Sequence, residues 1–200
     1  ILASAILEDG TKLENTGPFQ VLRSFSEGLE ENYGFWLDTS SPLFAYAGPP
    51  FADPKLKFHP YDEGGYVILS NSRISGGIEE FVMLDLHWRP GKFPENGKAA
   101  LAYVQSLAGP HGMTVDYIDL EVEEIEVQGA SAWRIKGFWE EPIVARVNRL
   151  GETTYPAEWT LFTCPDSEYI WTILITARNS GDLPGLREMT GTFECPGDDK

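Results

Sequence analysis

Asp85 and His87 lie two residues apart, a spacing that puts both side chains on one face of an extended strand. If the runs 131–140 and 169–177 pair in the same sheet, that face also gains Arg134 and Lys136, and Thr172 and Thr176. A carboxylate, an imidazole, two cations and two hydroxyls would together hold an anionic or polar ligand. The plainer alternative is a solvated or helix-covered polar sheet face with charge pairs. His59 and His111 are far from His87 in sequence and read as surface or loop residues, so no metal is expected. No cofactor is expected either, because the chain carries no Walker A loop, G-x-G-x-x-G, G-x-S-x-G or H-E-x-x-H. These absences weigh against an enzyme. The acids Glu121, Glu123, Glu124, Glu126, Asp198 and Asp199 lack the spacing of a calcium loop and read as solvated charge.

Cys164 and Cys195 are the only cysteines. Cys164 ends a strand, and Cys195 follows an apolar helical pattern that must fold back on the same sheet, so a disulfide between them is expected. Such a bond implies an oxidising compartment. Ala3-Ser4-Ala5, in a chain that does not begin with Met, reads as the small-residue end of an export signal and leaves room upstream for a lipid anchor. Periplasm or cell surface is the expected location, and the alternative is a cytoplasmic protein with two reduced thiols.

Charge narrows the partners. Fifteen basic against thirty-one acidic side chains give a net charge of −16, which opposes contact with nucleic acid phosphates or anionic lipid and favours another protein with a basic surface. No apolar run approaches the roughly 18 residues needed to span a bilayer, so no transmembrane segment is expected.

The elements that must position these groups are mostly strands. Residues 159–164 and 170–176 flank Pro165-Asp166-Ser167 and form a central hairpin. Its second strand places Tyr169, Trp171, Ile173, Ile175 and Ala177 on a buried face, and Ile170, Thr172, Leu174 and Thr176 on a half-covered one. Residues 66–70 and 80–88 are two further strands joined by a loop at 71–77, and the second has a core face (Val82, Leu84, Leu86, Trp88) and a partly wet one (Met83, Asp85, His87). A helix is predicted over 96–107, where Ala100, Tyr103, Val104 and Leu107 recur at helical steps. Over 117–127 the alternation slips at Glu123-Glu124, which predicts a β-bulge there. Gly129-Ala130 then turns the chain into 131–140, whose Trp133, Ile135, Gly137 and Trp139 share a face, with Arg134 and Lys136 beside the Glu-rich strand. Trp133, Ile135, Trp171 and Ile173 are expected in one apolar cluster. Residues 141–158 read as a loop with a short strand at 143–147, and 43–47 as another strand. A terminal helix over 180–193 is capped by Asp182. The class is α+β, a mostly antiparallel β-sheet flanked by helices, in one domain over 1–200 whose first 65 residues are the least defined.

From about residue 66 to 195, this order of helix, acidic strand, Val127-x-Gly129-x-x-Ala132-Trp133-Arg134-Ile135, hairpin and short helix resembles the PsbP-like α/β/α sandwich superfamily. That group includes extrinsic photosystem II subunits, exported bacterial proteins and lipoproteins, and a nuclear-transport factor that binds the Ran GTPase. The resemblance implies a non-enzymatic exported accessory or protein-binding module, and it carries over no functional residue. The rivals are a small-molecule-binding or hydrolytic protein with a cleft at Asp85 and His87, favoured if those groups converge in a deep pocket, and a purely structural domain.

Overall fold

The computed structural model describes residues 3–6, 12–15, 29–30, 34–38, 64–75, 78–107, 116–140, 154–165 and 167–197. Strands β1 (Ala3–Ile6) and β2 (Lys12–Asn15) pair with each other. The main sheet comprises β3 (Gly65–Ser75), β4 (Ile78–Pro90), β5 (Asp116–Val127), β6 (Ala130–Glu140), β7 (Thr154–Thr163) and β8 (Tyr169–Ala177). Its order is β3-β4-β8-β7-β6-β5, antiparallel at every step. Helix α1 (Gly97–Ser106) buries Ala100 and Val104 on one sheet face, and helix α2 (Leu183–Thr190) buries Leu183, Leu186 and Met189 on the other. The result is a sheet-dominated α+β protein with a core on each side of the sheet.

The central hairpin forms as its residue types require. Trp159 opposes Leu174 and Thr163 opposes Ile170. At the turn, Ser167 N–H donates to the Cys164 carbonyl and Tyr169 N–H to Ser167 Oγ, the local bonding that makes serine a turn residue. However, β8 is buried on both faces rather than half-covered. Asn96 caps α1 by accepting from Ala99 N–H. At the C-terminal helix Asp182 makes no side-chain cap. Asn179 instead accepts from Gly181 N–H and starts a 3-10 turn, Ser180–Asp182, that leads into α2.

Several boundaries differ from the sequence reading. The polar stretch 71–75 is strand rather than loop, with Ser75 opposite Ile78, because a ladder needs only backbone groups and tolerates polar side chains. Residues 154–158, read as loop, belong to β7. The readings at 43–47 and 143–147 lie outside the described residues.

The bulge falls at Asp119-Leu120, since pairing is continuous from Glu121 onward and shifts between Ile118 and Glu121. Asp119 has φ 51°, and the extra residue brings Leu120 and Val122 onto the face of Tyr117. The partner strand accommodates it with Gly137, where an added Cβ would come within 2.7 Å of Leu120 Cδ2 and 2.8 Å of the Ile118 carbonyl. The slip at Glu123-Glu124 has another cause: Val122 packs on the α1-side core, whereas Ile125 and Val127 pack on the α2-side core. The apolar phase changes because the strand passes from one covered face to the other.

The predicted cluster of Trp133, Ile135, Trp171 and Ile173 splits. Ile135 opposes Trp159, which opposes Leu174, so Ile135 and Trp133 lie on the α1 side. Trp171 opposes Phe162 and lies with Ile173 on the α2 side. There Leu29, Phe35 and Leu37, from the N-terminal third, are buried beside Phe193; Phe35 stacks on Phe193 and meets Trp88 and Trp171 edge-on. The segment is held by backbone bonds between Trp36 and Glu194. The Cys164–Cys195 disulfide is formed, with Cα atoms 5.6 Å apart.

Candidate functional site

Asp85 and His87 project from β4 toward the α1 side, at the end of the sheet that α1, over β5 and β6, leaves to other groups. His87 stands opposite Tyr66 on β3 and opposite Thr172 on β8, while Asp85 stands opposite Ile68 and Leu174. One row across three strands therefore reads Tyr66, His87, Thr172, with Asp85 one step along. The rings of Tyr66 and His87 are 5.8 Å apart.

Burial makes this group unusual. Asp85 and Thr172 are each 1% exposed, so the face expected to be partly wet is closed at its acidic residue. Asp85 Oδ1 lies 2.9 Å from His87 Nε2, yet it has no hydrogen-bond partner among the described residues. The two groups are in contact, but the ring N–H is not directed at the oxygen, so no hydrogen bond joins them. Thr172 Oγ1 and His87 Nδ1 also have no partner among the described residues. Buried polar atoms are paired in most proteins because an unpaired one forfeits its hydration, and it is these three atoms together that single out this end of the sheet.

Tyr117 belongs to the same neighbourhood and was missed by the sequence reading. Its hydroxyl donates to the Leu107 carbonyl at the end of α1, and its ring meets Trp159 edge-on. Burial, and then the negative charge of Asp85, push its phenol up to about 12. The sequence signal for Tyr66 was its place at the head of an apolar strand. For Tyr117 there was none, since its face depends on the bulge.

Arg134 and Lys136 do not join this group. Arg134 opposes Thr160 and Lys136 opposes Glu158, which places both on the α2 side of the sheet. There Arg134 Nη1 lies 3.2 Å and Lys136 Nζ 2.9 Å from Glu123 Oε1, and together they hold the Glu123 carboxyl below its usual range. This realises the cross-strand charge pairing expected between the Glu-rich and Arg/Lys strands. Beside it, the guanidinium of Arg187 on α2 grips the nearly buried Glu158 through Nε and Nη2. Thr176 stays on the α1 side but is occupied, accepting from Trp139 Nε1 and donating to the Pro156 carbonyl. Of the expected patch, Asp85, His87 and Thr172 converge.

Among the described residues no group of three or more His, Cys, Asp or Glu could hold a metal ion, and no helix is long and apolar enough to cross a membrane. The arrangement defines a two-sided α+β protein with a buried acid–imidazole contact on one side and a neutralised charge network on the other. Compared with known proteins, the chain matches no family model, no curated protein and no solved structure.

Proposed function

We propose that this chain is a non-enzymatic, exported accessory or protein-binding module of the PsbP-like layered kind. The observation that carries the reading is the separation of the candidate ligand groups. The two cations needed to hold an anionic substrate lie on the opposite face from Asp85 and His87 and are engaged by Glu123. Helices on both faces of an antiparallel sheet agree with the layered resemblance, and the Cys164–Cys195 bond agrees with an oxidising compartment. The surface that remains for recognition is acidic, which suits a protein partner with a basic surface. Photo-crosslinking in the native host, with probes on β5 and beside His87, tests this: the β5 probe should capture one recurring protein, and the His87 probe none.

A second reading, a small-molecule binder at Asp85 and His87, is favoured by the buried Asp85 Oδ1 and Thr172 Oγ1, which have no hydrogen-bond partner among the described residues. Native mass spectrometry separates the two. A bare-chain mass supports the accessory module, whereas a retained small ligand lost in His87→Ala replaces it with the binder.

A further inference from the structure

Strand β5 closes one edge of the six-stranded sheet, and among the described residues it pairs only with β6. From Glu121 to Val127 the ladder runs without interruption, so one side of this segment presents a regular row of backbone N–H and C=O groups. Val122, Ile125 and Val127 are half-buried along it, and Glu121, Glu124 and Glu126 are exposed between them. Glu123 is engaged by Arg134 and Lys136, and Glu124 accepts from Ser131 Oγ; Glu121 and Glu126 have no partner among the described residues.

We propose that the 121–127 edge receives an extended basic segment of another protein as a seventh, antiparallel strand. This rests on the protein-binding reading above and names its surface and partner class. Sheet edges recruit strands through the backbone, and side chains decide which strand is accepted. A second copy pairing antiparallel over the whole segment would set Glu124 directly against Glu124 and crowd two strands of four glutamates each, which opposes self-pairing, while a strand bearing cations opposite Glu121, Glu124 and Glu126 gains across both faces. The register dictates the pattern. Reading the partner from the residue opposite Val127 to that opposite Glu121, it is apolar, basic, apolar, basic, neutral, apolar, basic, over about 23 Å of extended chain.

The probe is the labelled, end-capped peptide Val-Lys-Val-Lys-Thr-Val-Lys, titrated by fluorescence anisotropy against the full disulfide-intact chain. Saturable binding is expected, weakened at least about tenfold in the doubly charge-reversed E121K/E126K protein, whose changed residues are solvent-exposed and whose fold is checked by circular dichroism. Two N-methylated peptides, methylated at alternate residues and offset by one position, supply the decisive contrast. One removes the N–H groups that face β5 and should lose binding; the other leaves them intact and should bind. Equal binding of both would overturn strand addition in favour of charge association alone, and no binding by the parent peptide would overturn it outright. Neither result touches the accessory-module reading, which stands or falls on the crosslinked partner.

Discussion

Replacing both cysteines, Cys164→Ala with Cys195→Ala, removes a link between residues 31 apart. In the loop-entropy relation this closure takes about 12 cal/mol/K from the unfolded chain, or about 3.7 kcal/mol at 298 K. For a chain of this length, about 2–4 °C of Tm accompanies each kcal/mol, so Tm should fall by roughly 7–15 °C. The terminal helix should nevertheless stay docked, because Leu186, Met189 and Phe193 are buried independently of the link and Thr192 Oγ1 accepts from Asp38 N–H. Equilibrium urea unfolding followed by tryptophan fluorescence measures the loss, and near-UV circular dichroism at 25 °C checks that packing persists. The m-value should rise as the unfolded ensemble expands. Wild-type protein in reductant supplies the control and should superpose on the variant. A loss below about 1 kcal/mol with unchanged m, or loss of near-UV signal before unfolding, would refute the reasoning.

The two-sided core makes a separate prediction. Ile135→Ala and Ile173→Ala should each destabilise by about 2–5 kcal/mol and should add within about 0.5 kcal/mol, because they empty opposite faces; a larger coupling in denaturant melts would return them to one cluster. Gly137→Ala forces a Cβ against the bulged backbone and should destabilise by about 1–3 kcal/mol, whereas Gly129→Ala, at φ 79° with open space around it, should lose about 1 kcal/mol for conformation alone; equal losses would refute the bulge contact. Tyr117 titrates above its ordinary value, so folding favours the neutral phenol. Its contribution is complete below pH 10 and is lost as pH rises from about 10 to about 12, and Tyr117→Phe should flatten that slope of urea midpoint against pH.

The local features were legible in sequence because local rules produce them. Alternating β-branched and aromatic residues marked β8, a three- and four-residue apolar step marked α1, and the cystine followed from having two cysteines and a helix obliged to fold back. The type of turn at Gly129 was also within reach: Gln128 and Gly129 both have positive φ, the two-residue turn that matches strand twist. Phe35 was harder. Its burial against Phe193 joins residues far apart in sequence, and no local periodicity encodes such a contact.

What the sequence by itself determined was the kind of the main strands and of the two helices and, outside the bulged β5, the relative phase of side chains within them. Which face of the sheet each phase belongs to was decided only by cross-strand register in the tertiary structure. Alternation states that Arg134 and Lys136 share a side and that Asp85 and His87 share a side, but it cannot state that the two sides are opposite. In a sheet with one wet face, polarity would have supplied the missing sign. Here both faces carry a core, so apolar residues mark either side equally, and the candidate site divided where the strand pairing placed it.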